Sequence, residues 1–330
     1  MATVRLRRGA RGRRATVAAL LAATATSALA AGCTADTGPR DDGRGSPKES
    51  EQSASPSATG PSALAVKIDN ASAARPHAGV DAADVVYAEQ VEGGLSRLMA
   101  VYATRLPETV GPVRSARESD LELLRQFERP TLAFSGAQKK LLPLIDKAPL
   151  RAETPGNAAD AYFRGSGNPA PHNLYLRPER IVPKTPGEAA LTTGFHYGAA
   201  PAGGTATESR TVRYPAARFT FTWSDSHDRW LIGMDGTPAT TADGEPMAAP
   251  TVVVQHVKVR ESAFRDFLGH NTPYTETVGS GKAQVLRDGR TWDVDWKREK
   301  ATDGTSFTTG DGTPVNFAEG QVWVVFVKAP

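Results

Sequence analysis

Short apolar runs closed by turn residues organise this chain from residue 62 to its end. ALAVKIDN reads as a strand. ADVVYAEQVE and LSRLMAVYAT read as two more, and the Gly93-Gly94 pair between them is a two-residue hairpin signal. Helical spacing follows over 116–128, where Leu121, Leu124 and Phe127 share a face and Ser115 and Glu118 fit a capping box. TLAFSGA is a strand running into a Ser-Gly turn, and AQKKLLPLIDK a second helix begun or bent at Pro143. AYFRGSGNPAPHNLYLRPERI is mostly loop. Beyond the low-complexity stretch 197–209 the runs TVRYPAARFTFTWS, HDRWLIGMDG, PTVVVQHVKV, GKAQVLRDGRTWDVDWK and EGQVWVVFVK all read as strands, with Asp288-Gly289 a type I′ turn. The expected architecture is a mixed α/β layered sandwich over 62–198, a linker over 199–210 and a β-rich C-terminal domain over 211–330.

The first 61 residues have a different pattern. Six arginines and no acid precede the apolar run TVAALLAATATSALAAG, which ends at Cys33. A basic head, a short apolar stretch and small residues at its end make residues 1–32 a secretory signal. The run is too short and alanine-rich for a membrane span, which needs about 20 strongly apolar residues. Leu29-Ala30-Ala31-Gly32-Cys33 resembles a lipobox, in which the cysteine becomes the new N-terminus and carries diacylglycerol and, as a rule, palmitate. An ordinary secretory cut near Ala28 or Ala31 would leave Cys33 a free thiol; its being the single cysteine, at that place, favours the lipid anchor. Arg13-Arg14 permits twin-arginine export. Residues 33–61, rich in Ser, Pro, Gly and charge, read as a disordered tether. Together these predict an exported protein anchored by lipid to the outer face of the cytoplasmic membrane.

Removing the signal reverses the sign of the charge. The whole chain carries +3 and the first 32 residues +6, so the remainder carries −3. The basic balance belongs to the signal, and nucleic acid is not an expected partner.

At this point the motifs acquire a relative. VKIDNASAARPHAGVDAADVVYAEQVEGGLSRLMAVY, VGPVRSAR and PHNLYL resemble the YerB-like bacterial lipoproteins, as do GMDGTPATTADGEP, PTVVVQHV, GKAQVLRDGRTWDVDWKR and EGQVWVVFV. The similarity spans residues 63–330. It implies a mixed α/β layered sandwich and a membrane-anchored, extracytoplasmic location. It implies no activity, because the family is one of unknown function.

Candidate chemistry concentrates before residue 175. With a two-residue turn at Gly93-Gly94, Glu92 and Arg97 lie diagonally on one face and Glu89 on the other, so the two acids cannot act together. Arg114 and Arg117 flank a helix start, where they are disfavoured unless an anion lies between them. That anion is either an external phosphate or carboxylate, or a protein acid: Glu89, Glu92 or Asp120. Asp69, Arg97, Arg114, Arg117 and Asn173 are the candidate ligand-binding residues; Glu92 and His172 are the candidate acid/base groups. No H-x-x-x-H or H-E-x-x-H occurs, and no metal or cofactor is expected. FSGA lacks the nucleophile-elbow glycines, GSGK lacks phosphate-loop spacing, and the D-G pairs are turns.

Three readings follow: a lipid-anchored envelope protein binding an anionic polymer or an envelope partner protein; an envelope hydrolase or transferase acting on a phosphodiester or glycan; or a structural assembly lipoprotein without a pocket. The anchor common to all three has its own test. Cys33→Ala should move the protein from the membrane fraction to the soluble fraction without altering its fold, and wild type should carry an acyl mass on its N-terminal peptide. A processed wild-type protein with no acyl mass refutes the anchor.

Overall fold

The computed structural model describes residues 62–266 and 269–330; Cys33 and the segment 33–61 lie outside the described residues. The chain contributes β1 (Leu64–Asp69), β2 (Val85–Gln90), β3 (Ser96–Tyr102), α1 (Glu118–Leu124), β4 (Thr131–Ala133), α2 (Leu142–Lys147) and β5 (Arg151–Glu153). A small ribbon follows, β6 (Tyr162–Arg164) with β7 (Leu174–Leu176). After β8 (Thr205–Ala206) come β9 (Ser209–Tyr214), β10 (Ala217–Ser224), β11 (Arg229–Met234), β12 (Thr237–Pro238) and β13 (Ala248–Ala249). The rest is β14 (Thr251–Val257), the hairpin β15 (Val259–Arg265) and β16 (Asn271–Thr275), β17 (Gly279–Arg287), β18 (Arg290–Arg298), β19 (Ser306–Thr308) and β20 (Val322–Lys328).

One sheet crosses both halves of the sequence in the order β19-β18-β17-β14-β20-β2-β3-β1-β4-β5, with β8 on β18. The join is β20, which pairs in parallel with β2 on one side and β14 on the other. A parallel strand covered on both faces needs an unbroken apolar run. VWVVFVK, TVVVQHV and LAVKID supply such runs, and most of their residues are buried. Alternate residues face two separate cores. Leu64, Val66, Ile68, Leu98, Val252 and Trp323 pack toward the β9–β13 sheet with Phe219, Phe221, Trp230 and Ile232. Ala65, Met99, Val101, Val253 and Val324 pack toward α1 and the segments around Phe195, Phe307 and Phe317.

This corrects the expected fold. The molecule is mostly β, and the mixed α/β layered sandwich read for 62–198 is not what forms. Among the described residues the α-helices span seven and six residues. The helical spacing of 116–128 marks a helix of only about two turns, and Phe127 enters the core from beyond its end. The capping residues differ too. Arg117 is the N-cap, and the Asp120 carboxylate accepts its backbone N–H at 2.7 Å, in place of the Ser115–Glu118 pair. Asp288 and Gly289, at φ 50° and 66°, do make the two-residue turn between β17 and β18.

The shared sheet predicts coupled unfolding of residues from the two halves. All five tryptophans lie at or beyond residue 223, whereas Leu98 is fully buried in β3. Leu98→Ala should cost roughly 2–5 kcal/mol, and the loss should appear in urea unfolding followed by tryptophan fluorescence. An unshifted fluorescence midpoint would mean that the halves unfold independently.

Candidate functional site

The strands β1, β2, β4, β5, β14 and β20 share one direction, since β1 and β2 are each antiparallel to β3 and the other pairs are parallel. At the carboxyl ends of β1 and β2, on the α1 side, polar side chains replace the apolar ones. The connection between β2 and β3 decides which. It is longer than two residues: Val91 N–H bonds Leu95 O at 2.8 Å around a turn at Glu92–Gly94, with Gly93 and Gly94 at φ 68° and 72°. A Cβ on Gly94 would lie 2.6 Å from the Pro215 ring. This shifts the expected register by one. Glu89 stands opposite Arg97, which stands opposite Asp69 on β1, so all three side chains share one face. The separation of Glu89 from Arg97 expected from a two-residue turn does not occur.

Lys67, fully buried, lies two residues before Asp69 on the same face. Its ammonium bonds Glu89 and, at 2.7 Å, Asp120, while Ser119 Oγ donates to Glu89 at 2.8 Å. One cation here serves two buried acids. Burial opposes the charge on Glu89, but Lys67 and Ser119 outweigh it and hold its pKa below the usual value. Asp120 loses the competition: burial and the Glu89 charge push it up to about 6 against the pull of Lys67. Sequence reasoning passed over Lys67, although a lysine inside a strand buried on both faces demands an acid.

The arginines divide between different carboxylates. Arg117 Nε and Nη2 bond Glu92 Oε1 and Oε2 at 2.6 and 2.7 Å, and its Nη1 donates to Ser115 O and Ala116 O. Thr272, reaching across from β16, donates to Glu92 Oε1 at 2.6 Å. Burial works against the Glu92 carboxylate, but Arg117 and Thr272 hold it ionised below its ordinary pKa. Glu92 and Arg117 wall a cavity of about 260 Å³ shared with Ser115, Ala137, Phe264 and Thr272.

Arg114 goes elsewhere. Pro112–Arg114 pairs with the end of β1 where β4 has stopped: Asp69 N–H bonds Pro112 O at 2.8 Å and Arg114 N–H bonds Lys67 O at 2.7 Å. This places Arg114 Nε 3.2 Å from Asp69 Oδ2. The strand β7 runs beside the same segment, with Val113 N–H on Leu174 O, and its preceding loop delivers His172 Nδ1 to Asp69 Oδ2 at 2.8 Å. Asn173 is spent on that loop: it accepts from Arg164 at 2.7 Å and donates to Gly165 O at 3.1 Å. Arg97 lies between the two groups. Its Nη1 donates to Ser115 O at 3.1 Å, and among the described residues no carboxylate bonds it. Burial, then Arg117, then Arg114 lower its pKa to about 10, against the opposing pull of Glu92 and Asp69. Asp69, Arg97, Arg114 and His172 are thus brought together; Glu92 and Arg117 form a closed neighbouring pair.

The matches with known proteins agree with the order of the motifs. Residues 50–190 match the N-terminal domain, and residues 210–324 the C-terminal domain, of the protein of unknown function DUF3048. The chain belongs to this family, the YerB-like proteins. It is 26% identical over 289 residues to YerB of Bacillus subtilis (strain 168), a lipoprotein by name, covering 80% of each chain. The crystal structure of the Bacillus subtilis YerB protein, at 21% identity, gives a TM-score of 0.69 over 81% of this chain and 90% of that one. That likeness shows the fold.

The closed pair reverses one expectation. An arginine waiting for an external anion could be removed without loss of stability. Arg117, bidentate on a nearly buried carboxylate, cannot. Arg117→Leu should strand Glu92 and cost roughly 3–5 kcal/mol, measured by urea denaturation of the ligand-free protein. A variant as stable as wild type would show that Glu92 is solvated and the pair inconsequential.

Proposed function

We propose that this chain is an exported, lipid-anchored protein of the bacterial envelope that binds an anionic ligand through Arg97 and Arg114. The lipobox at Cys33 and the name of its Bacillus subtilis relative support the anchor. The single observation that carries the binding site is the surplus of donors around Asp69. Arg97 and Arg114 have N–H groups that make no hydrogen bond among the described residues. Their guanidinium planes suit a phosphate or carboxylate by bidentate bonding. Lys67, Arg114 and Arg117 each hold an acid of the cluster, whereas Arg97 holds none, so its guanidinium is the one left to meet a ligand. The ligand in this reading is an anionic group on an envelope polymer or partner protein.

Binding is favoured over hydrolysis by what has happened to Glu92. Both its oxygens are committed, to Arg117 and Thr272, which leaves it poorly placed to move a proton. His172 keeps its free ring nitrogen but serves here as part of the binding surface.

Removing Arg97 tests the site. It holds no carboxylate, so Arg97→Met should keep or raise the melting temperature while weakening inorganic phosphate at least tenfold, about 1.4 kcal/mol, in calorimetric titration at low salt. Absence of phosphate binding to wild type, or equal binding by the variant, would remove the proposed site.

A further inference from the structure

The imidazole of His172 adds a selectivity that arginines alone lack. Asp69 Oδ2 accepts from His172 Nδ1 at 2.8 Å, and Asp69 Oδ1 accepts from Ala71 N–H at 3.2 Å. A carboxylate only accepts, so the proton of the neutral ring lies on Nδ1 and the lone pair on Nε2. Nε2 makes no hydrogen bond among the described residues, and the His172 side chain is 23% exposed beside Arg114 at 26%. One carboxylate oxygen therefore holds both side chains, Arg114 by Nε and His172 by Nδ1. Both side chains are thus tethered to one atom, and their remaining groups, the Arg114 N–H donors and the His172 Nε2 acceptor, make no hydrogen bond among the described residues.

Donors alone treat sulfate and phosphate alike, since the two ions match in size and shape. An acceptor does not. Above neutral pH sulfate and phosphodiesters offer only lone pairs, and an acceptor set against a lone pair is left unsatisfied. Inorganic phosphate and phosphomonoesters keep or readily regain a P–O–H proton, which an acceptor can bond. Resting on the anion-binding reading above, we propose that this site selects phosphomonoester groups, with His172 Nε2 accepting the P–O–H proton and Arg97 and Arg114 donating to the remaining oxygens. Proton and ligand then bind together, and no bond of the ligand is broken.

The test is a calorimetric comparison on the full chain at pH 7.5 and constant ionic strength, using inorganic phosphate, sulfate and dimethyl phosphate. Phosphate should bind at least tenfold more tightly than either of the others. His172→Phe, which keeps a flat ring and removes the acceptor, should bring the three within about twofold while Arg97 and Arg114 still hold them. Equal binding of phosphate and sulfate by wild type overturns the selectivity and leaves the anion site standing; no binding of either anion removes both. A preference that survives in His172→Phe assigns the discrimination to another group and overturns the role of His172. Glycerol phosphate in solution, compared with phosphatidylcholine vesicles with and without phosphatidic acid, then separates a free or polymer-borne phosphomonoester from a lipid headgroup.

Discussion

Parallel pairing of β2 with β20, Val85 against Val322 through Ala88 against Val325, is the contact on which the architecture turns. It lies between residues more than two hundred positions apart. Without it, β1–β5 would end in a bare edge at β2, and β14, β17 and β18 in another at β20. Joining the edges removes two unpaired rows of N–H and C=O groups, each of which would otherwise invite association. It also requires β2 and β20 to be apolar on both faces. The alternation of Val322, Val324 and Phe326 with Trp323 and Val325 divides two cores with no polar residue between them.

A sheet covered on both faces has no room for charge in its middle, so charge collects where strands end. Asp69 closes β1, Glu89 is the last residue but one of β2, and Arg97 is the second of β3, which runs the other way. The three fall in one row because β1 and β2 both pair antiparallel with β3 and meet it in register at Arg97. The row then sorts by depth. Lys67, deepest, is shared between Glu89 and Asp120 beneath α1. Glu92, further out, is closed by Arg117 and capped by Thr272. Asp69 is itself buried, and its partners Arg114 and His172 are the ones with partial access to solvent. The acids stay buried while Arg117, His172 and Arg114 are partly exposed, at the carboxyl ends of the parallel strands, where ligands of open sheets tend to lie.

Local patterns were legible in the sequence and long-range ones were not. The strands of LAVKID, VVYAEQ and TVVVQHV, the Asp288-Gly289 turn and the short helix at Pro143 follow from composition and spacing. Of the residues expected to share a site, Asp69, Arg97, Arg114 and His172 lie together, whereas Arg117 pairs with Glu92 and Asn173 is spent on its own loop. What failed was anything depending on which strand pairs with which. A residue at 325 and one at 88 carry no mutual signal in a single sequence, so the expected α/β layering missed the continuous sheet. The β2–β3 connection failed for a smaller reason. Two consecutive glycines fit a two-residue turn, yet here both take positive φ within a longer loop that packs on Pro215. One residue of register moved Glu89 onto the face of Arg97.

The same shift explains why the opening of α1 tolerates arginine. A guanidinium at a helix N-cap faces a partial positive charge, and Arg117 is that N-cap. Asp120 offsets it locally by accepting the Arg117 backbone N–H, and Glu92 offsets it across the chain by taking the guanidinium itself. Arg117 is thereby neutralised before any ligand arrives. Arg97 is not: it meets Ser115 O, and its nearest charges include two arginines. Burial and the neighbouring Arg117 and Arg114 disfavour the charge on Arg97, while Glu92 and Asp69 favour it, so in the proposed reading an anion would add to the two acids' support. Asp69 is one of the two acids that act on Arg97, and the same carboxylate pairs with Arg114 and His172, so the residue that holds those two side chains in place also offsets the repulsion among the arginines.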